Sequence, residues 1–264
     1  MDSSIPQQLD DLKVLANQIL AATTDYRGKR AWFQGKLQYV DPSDLYAALL
    51  DRIVTGGVQW VDVGGGQTVL PWNERFAAQL AGRTGRLVAI DPSPNVQMNP
   101  LVHERHQCRL EDYRGPGGFD LATLRMVAEH VVQPAELTRK LAELIRPAGL
   151  VAVLTPHRWS PASIAARLIP NALHPCFTRW LDGRVAEETF PTFYRMNTRT
   201  RLRQVFEEGG FTEERFWLLD DCSVLQQFGS VFLMQMGLSR VCRGLGIAYP
   251  ENVLLGLYRR RTSP

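Results

Sequence analysis

The sequence is poor in the features that mark secreted, metal-binding and membrane proteins. It has four cysteines, with no CxxC pair and no histidine at metal-ligand spacing, so neither a disulfide framework nor a metal site is predicted. The amino terminus is acidic, and no run approaches the roughly 18 apolar residues of a membrane span. We therefore expect reduced thiols in a soluble, cytoplasmic protein without a membrane span.

Neither basic nor acidic residues are concentrated in one region of the sequence. The chain has 30 basic and 27 acidic residues, and its arginine-rich stretches, 199–203 and 259–261, are short and separated. A nucleic-acid partner is therefore not expected. The 264 residues show no internal repeat and can form one large domain, whose assembly into a homodimer is left open.

Four short apolar runs begin after Val58, and each is followed by Gly, Pro or charged residues. They are WVDV, RLVAI, FDLATL and LVAVL. Such runs suit buried parallel strands. Between the last two, residues 134–146 have apolar side chains at helical spacing, and Pro147 and Gly149 are expected to stop this helix. The alternation predicts an α/β fold with a Rossmann-like, doubly wound, mostly parallel sheet of seven strands.

The flanking segments carry other patterns. Helices are predicted over 6–22 and 42–54, which makes residues 1–55 a helical cap on a main domain of residues 56–264. The strand pattern breaks after Leu154, and we expect short helices that form a lid over residues 156–197. RFWLL and NVLLGLYRR read as the last strands, with a helix between them.

The strongest local signal is an apolar strand that carries Asp62 near its end and runs into three glycines. These glycines are Gly64, Gly65 and Gly66. Glycine lets the backbone approach a ligand where a Cβ would collide. The second strand ends in Asp91-Pro92, where a carboxylate can accept hydrogen bonds from two ribose hydroxyls. A nucleoside ligand is therefore expected at the carboxyl edge of the sheet.

A dinucleotide is the rival ligand for this turn. The GxGxxG pattern needs a third glycine where this chain has Val69, and Asp62 would repel a phosphate. The same carboxylate favours a cationic amino acid group, such as the methionine part of a cofactor. A tight turn with no ligand is the alternative that stays open.

The glycine turn belongs to an ordered series of motifs. In chain order they are Asp62-Val63-Gly64-Gly65-Gly66, Ile90-Asp91-Pro92-Ser93, Leu110-Glu111-Asp112-Tyr113, Phe119-Asp120-Leu121, Glu129-His130-Val131 and Ile145-Arg146-Pro147-Ala148-Gly149. Each motif is loose, but the set over residues 56–155 resembles class I S-adenosylmethionine-dependent methyltransferases. It is most similar to the small-molecule branch of quinone-biosynthesis and natural-product enzymes.

The resemblance implies S-adenosyl-L-methionine as the cofactor and assigns residues to it. These are Asp62, Gly64, Gly65 and Gly66 on the methionine and ribose side, Asp91 and Pro92 at the ribose hydroxyls, Leu110 and Glu111 near adenine, and Arg125 beside the methionine part. The chain departs from the family at Thr68, where glycine is usual, and at Arg109, where an aspartate often contacts adenine.

Two histidines are candidates for catalysis. Methyl transfer is an in-line displacement on an activated sulfonium, so holding the reactants at attack distance supplies much of the rate. A phenol-like acceptor would also benefit from a general base, and histidine is the natural one. His130 follows the FDLATL run and His157 follows the LVAVL run. Either histidine is also explained as a capping or packing group.

The substrate side is expected in the segment FPTFYRMN, which mixes aromatic surface with hydrogen-bond donors. Phe193, Tyr194 and Arg195 are the candidates for acceptor contact. In the alternative, the two rings pack the lid onto the sheet and the arginine pairs with a carboxylate.

The sequence thus predicts a methyltransferase that acts on a small-molecule acceptor, with oxygen favoured over nitrogen or carbon. Two other classes stay open. The first is a protein of this fold that does not methylate and acts as a scaffold or catalyses another reaction. The second is a nucleic-acid methyltransferase, which would need a continuous basic face beside the site.

Overall fold

The computed structural model describes residues 8–23, 39–160, 163–164, 190–220, 229–246 and 252–262. The strands are β1 (Gln59–Val63), β2 (Arg86–Ile90), β3 (Glu104–His106), β4 (Phe119–Arg125), β5 (Ile145–Pro156), β6 (Phe211–Leu219) and β7 (Val253–Arg260). The helices are α1 (Leu9–Thr23), α2 (Pro42–Ile53), α3 (Glu74–Ala81), α4 (Pro134–Leu144), α5 (Arg199–Glu208) and α6 (Gly229–Gly244). Single 3₁₀ turns occupy Pro94–Met98, Leu110–Asp112 and Ala128–His130.

The strands form one sheet of seven in the order β3-β2-β1-β4-β5-β7-β6. The first five are parallel, and β7 runs antiparallel to its neighbours β5 and β6. The predicted Rossmann-like, mostly parallel sheet is confirmed. The chain builds outward from β1 through β2 to β3 and then continues on the other side of β1 with β4. This reversal opens a crevice at the carboxyl ends of β1 and β4, where ligands bind in such folds.

The central strands are buried on both faces because helices cover each side. Trp60 belongs to the apolar cluster that α1, α2 and α3 share, and its neighbour Val61 belongs to the cluster that α4 and α5 share. Successive side chains of a strand point to opposite faces, which produces this division. The continuous apolar runs in the sequence therefore correspond to strands enclosed between helices.

Helices α2 and α5 begin at residues that favour helix starts. Asp41 caps α2 by accepting a hydrogen bond from the Ser43 backbone N–H at 2.9 Å, and Pro42 takes the first helical position. Thr198 caps α5 by accepting a hydrogen bond from the Arg201 backbone N–H. These two caps fix the starts of helices on opposite faces of the sheet.

One predicted boundary differs from the structure. The helix expected over residues 134–146 ends at Leu144, and β5 begins at Ile145, before Pro147 and Gly149. Ile145 is buried and pairs with Phe119, the first residue of β4. The first residue of β5 is therefore fixed in the sheet by this pairing. The exposed residues that follow bulge outward, and Ala148 takes a positive φ of 64°. Tertiary pairing therefore ends the helix two residues early.

The two segments predicted to flank the sheet are described in part. Residues 1–7 and 24–38 of the expected cap, and residues 161–162 and 165–189 of the expected lid, lie outside the described residues. The described part of the cap contributes α1 and α2, which pack on the face shared with α3. In the part of the chain that the structure covers, no helix has the length and apolar character needed to cross a bilayer.

Candidate functional site

The glycine turn after β1 packs closely against the chain that leaves β4. Gly64 and Gly66 have positive φ values of 73° and 44°, which glycine adopts at little cost. A Cβ on Gly64 would lie 2.3 Å from Cγ2 of Val127, and one on Gly65 would lie 3.0 Å from Oδ2 of Asp62. The turn is therefore a tight backbone cradle that larger residues at these two positions would obstruct.

Asp91, which directly follows β2, is turned toward this cradle. Its Oδ2 accepts the Gly66 N–H at 3.0 Å and its Oδ1 accepts the Ser93 N–H at 2.7 Å. The side chain is almost fully buried, and Pro92 beside it is exposed. Each carboxylate oxygen can accept a second hydrogen bond, so two further donors, such as ribose hydroxyls, can be held there.

Asp62 is buried beneath the turn in a hydrogen-bonded chain. Its Oδ1 accepts the Thr123 hydroxyl at 2.6 Å, and that hydroxyl oxygen accepts the Trp60 indole N–H at 2.7 Å. Burial raises the pKa of Asp62 to about 7, although the Thr123 hydrogen bond and the Arg125 cation act against this rise. A cation brought beside Asp62 would favour its ionised form.

Arg125 ends β4 on the same edge of the sheet. Val63 of β1 pairs with Leu124 of β4, so the next residue along β4 lies level with the start of the glycine turn. The Arg125 guanidinium carbon lies 5.3 Å from the centre of the Trp72 ring. The structure therefore brings Asp62, the glycines, Asp91 and Arg125 to one crevice.

The two residues expected near adenine are placed differently from each other. Leu110 is buried in the apolar cluster that also contains Val63 and Ile90, the last residues of β1 and β2. Glu111 is half-buried, and its carbonyl accepts a hydrogen bond from Arg114 at 3.0 Å. Leu110 is thus part of the core on that face of the sheet, and the roles of Leu110 and Glu111 at adenine stay predictions.

Glu129 has a buried carboxyl group. From the sequence, this residue is placed in a motif but is assigned no role in the site. Its Oε2 accepts the Thr155 hydroxyl at 2.8 Å, and the Thr155 oxygen accepts the Asn197 amide N–H at 2.6 Å. Its backbone carbonyl accepts the N–H groups of Phe193 at 2.7 Å and Tyr194 at 3.1 Å. Burial raises the pKa of Glu129, and nearby His130 opposes that rise. Glu129 therefore links the exit of β4 to β5 and to the 190–197 segment.

His130 follows Glu129 and lies against the 190–197 segment. Its Nδ1 lies 2.8 Å from the Pro191 carbonyl oxygen, which can only accept, so we assign the ring proton to Nδ1. The other nitrogen, Nε2, lies 3.9 Å from Oε1 of Glu129. The edge of the Phe190 ring faces the imidazole, with the ring centres 6.1 Å apart.

His157 follows β5 and makes contacts at the end of the sheet. Its backbone N–H donates to the Asn252 carbonyl at 2.8 Å, and its Nδ1 accepts the Trp159 N–H at 3.4 Å. Burial lowers the pKa of His157. A catalytic role for His157 stays a prediction.

The three residues predicted to contact the acceptor differ in exposure. Phe193 is 43% exposed, whereas Tyr194 is 6% exposed and has a positive φ of 50°. Arg195 donates to the Val132 carbonyl at 2.6 Å and lies 5.8 Å from the Phe193 ring centre. Hydrogen bonds thus hold the 190–197 segment beside His130. In this segment the Phe193 ring is exposed and Tyr194 is buried.

Comparison with known proteins finds relatives of this chain. A family model described as a methyltransferase domain matches residues 33–214. Two relatives are ubiquinone biosynthesis O-methyltransferases. The enzyme of Xanthomonas campestris pv. campestris is 28% identical over 186 residues, which cover 63% of this chain and 71% of the relative. That of Albidiferax ferrireducens is 28% identical over 190 residues, covering 66% and 72%.

Solved structures share the fold at low identity. The S-adenosylmethionine-dependent methyltransferase of Mesorhizobium loti has a TM-score of 0.50 at 19% identity, covering 83% of this chain and 98% of its own. The [4+2]-cyclase SpnF has a TM-score of 0.50 at 15% identity, covering 99% and 100%. Likeness at this level shows the fold alone. Because the family model matches more than half of the sequence, however, the chain belongs to the class I S-adenosylmethionine-dependent methyltransferases.

Proposed function

We propose that this methyltransferase transfers the methyl group to a hydroxyl oxygen of a small, phenol-like acceptor. The observation that carries the proposal is the placement of His130. One ring nitrogen is engaged by the Pro191 carbonyl, and the other lies beside the Glu129 carboxyl in the turn that follows β4. A neutral imidazole held in this way can take a proton from an acceptor hydroxyl.

The residues of the crevice fit S-adenosylmethionine. Asp91 has acceptor capacity left for two ribose hydroxyls, and Asp62 would lie on the side of the cationic amino acid group. The cradle at 64–66 leaves room for a ligand, because a Cβ on Gly66 would meet no atom within 4 Å. When bound, the cofactor supplies a methyl group on a positively charged sulfur, which is a strong electrophile.

The protein's own part in the reaction is to position groups and to move a proton. As the acceptor oxygen attacks, its hydrogen would pass to Nε2 of His130, and the Glu129 carboxylate would stabilise the resulting imidazolium. The Pro191 carbonyl would keep the ring from rotating during this transfer. General base catalysis of this kind contributes about 10²–10⁴-fold in rate.

Aromatic surface beside His130 supports a ring-shaped acceptor. Phe190 is 41% exposed and Phe193 is 43% exposed, and both belong to the segment fastened to Glu129 and His130. Exposed rings next to a few fixed polar groups are typical of small-ligand pockets. The names of the relatives, O-methyltransferases of ubiquinone biosynthesis, support oxygen as the acceptor atom.

The test uses S-adenosylmethionine with a labelled methyl group and paired acceptors. Catechol and phenol are offered together with their methyl ethers, which have the same rings without the free hydroxyl. We expect label on oxygen, located by mass spectrometry, and none transferred to fully methylated rings. Label on nitrogen or carbon in a wider acceptor panel would contradict O-methylation. Binding of the cofactor without any transfer would favour a non-methylating member of this fold.

A further inference from the structure

One face of α6 presents a row of apolar side chains to solvent. Its members, spaced four, three and four residues apart, are Met234, Leu238, Val241 and Leu245, with exposed fractions of 69%, 53%, 59% and 69%. A helix turns about 100° per residue, so the four side chains lie within an arc of about 60°. Leu245 follows the last residue of α6, but its N–H still donates to the Val241 carbonyl at 3.0 Å, so the row continues along the helix. Scattered exposed apolar residues are ordinary, whereas a contiguous row marks a contact surface.

Two glycines border this row on one side, and the backbone of the single chain requires neither of them. They are Gly237 and Gly244, which lie about two helical turns apart. A Cβ added at either position would meet no atom within 4 Å, and neither glycine has a positive φ. Glycine also makes a helix interior less stable than alanine does. A border without side chains has a use when the backbone of another helix approaches the row closely.

The charges of α6 favour a protein helix over a membrane surface as the partner of this row. Gln235 and Cys242 border the row on its other side, so the row and both of its borders are uncharged. The 16 residues of α6 include two arginines and no acidic residue, and Arg240 lies outside the row. Helices that lie on a bilayer have a strongly charged face, rich in lysine and arginine. With two arginines, α6 does not have such a face.

The spacing of the row is the same when it is read from either end of the helix. If a second copy of α6 lies against the first in the opposite direction, Leu238 of one copy therefore faces Val241 of the other. In the same arrangement Met234 faces Leu245. Side chains that recur every three and four residues interlock between two paired helices. A row that matches itself in this way suits a two-fold interface between identical chains.

We propose that two copies of this chain form a dimer in which the apolar rows of their α6 helices pack antiparallel. The pairing also brings Gly237 of one copy against Gly244 of the other, which lets the two backbones come close. Exposed apolar side chains of this size offer on the order of 100 Å² each, so the two rows bury about 800 Å². Stable complexes bury about 1,200–2,000 Å² in total. The dimer is therefore expected to be reversible, with a Kd in the micromolar range.

Sedimentation equilibrium over about 1–200 µM protein measures this dimer. We expect the mean mass to rise from that of one chain toward twice that value as the concentration increases. Leu238→Lys and Val241→Glu each place a charge in the middle of the row, and each should weaken the dimer about 10-fold or more, because an unpaired charge is then buried. Val14→Lys is the control, since Val14 is 58% exposed on α1, outside the row, and it should leave the Kd unchanged.

A disulfide tests the direction of the pair. Antiparallel packing places residue 235 of one copy beside Cys242 of the other. Within one helix the same two positions are about 10 Å apart, which is too far for a disulfide. Gln235→Cys should therefore form a linked dimer on mild oxidation, with a 235–242 linkage found by peptide mass spectrometry. Gln235→Ser, and Gln235→Cys combined with Cys242→Ser, should not form this linkage.

Three results would overturn the pairing. They are an intact chain that stays monomeric at every concentration, a dimer that both charged variants leave unchanged, and a monomer that binds vesicles of anionic phospholipid through this row. A dimer without the 235–242 linkage would overturn the antiparallel direction. Thermal melting checks that the variants are folded, and Met234→Lys, at a more exposed position, replaces any that is not. Because no residue assigned to the cofactor crevice belongs to α6, loss of the dimer should leave the Kd of S-adenosylhomocysteine unchanged.

Discussion

Asp62 is almost completely buried and lies beside the glycine turn. Together these two properties make its ionisation sensitive to a ligand bound at the turn. Burial raises the pKa of this carboxyl to about 7, so its charge changes near neutral pH. The groups that act on it are the Thr123 hydroxyl, the Arg125 cation and the Asp91 carboxylate. A cationic ligand would lower the pKa again, because the ionised carboxyl is then stabilised.

Cofactor affinity should therefore depend on pH through Asp62. Between pH 6 and pH 8 the ligand-free carboxyl loses its proton, and S-adenosylmethionine should bind about tenfold more tightly at the upper end. Calorimetry at several pH values measures this slope. In Asp62→Asn, which cannot ionise, the slope should largely disappear, and an unchanged slope would assign the effect to another group.

His130 should affect turnover and not cofactor binding. With the base removed, His130→Ala should lower kcat by about 100-fold or more, while the Kd of S-adenosylhomocysteine stays the same. Glu129→Gln keeps an oxygen that can accept the Thr155 hydroxyl and removes the carboxylate charge. It should lower kcat less than His130→Ala does. Glu136→Gln, an exposed acid on α4, serves as the control. An unaltered rate in His130→Ala would leave that residue with a packing role.

At the scale of elements, the turn after β1 depends on two separate properties of Gly64. One is its positive φ, and the other is its close approach to Val127. Gly57 has a similar φ of 79°, but a Cβ added there would meet no atom within 4 Å. Gly57 therefore isolates the first property from the second.

Replacing each of these glycines by alanine should give unequal losses of stability. Gly57→Ala should lower the free energy of unfolding by about 1–2 kcal/mol, the cost of a left-handed residue. Gly64→Ala should lose about 1–3 kcal/mol more, because the Cβ overlaps Val127. Urea denaturation measures both values. Equal losses would mean that the exit of β4 moves aside without cost and that the cradle is looser than described.

The elements themselves were largely predictable from local sequence. The apolar runs after Val58 gave strands because burial on both faces needs continuous hydrophobic residues. The end of α4 was less predictable, because the pairing of Ile145 with Phe119 decides it and local sequence does not report that pairing. Helix-stopping residues such as Pro147 set only the latest position at which the helix can end.

At the scale of the whole molecule, topology brings separate motifs to one edge. Asp62, Asp91 and Arg125 could be predicted as neighbours, because parallel strands end at the same side of a sheet and each residue lies at the end of a strand. The Glu129, Thr155 and Asn197 chain could not be predicted in this way. Its members come from a 3₁₀ turn, a strand and a later segment, and only the folded chain shows that they meet.

The central claim is that the crevice between β1, β2 and β4 receives the nucleoside of the cofactor with Asp91 at its sugar. A crystal structure of the chain grown with S-adenosylhomocysteine tests this most directly. We predict the nucleoside at the glycine turn, with both ribose hydroxyls within hydrogen-bond distance of the Asp91 carboxylate. A crevice that stays empty at saturating ligand, or a nucleoside bound away from Asp91, would contradict the account.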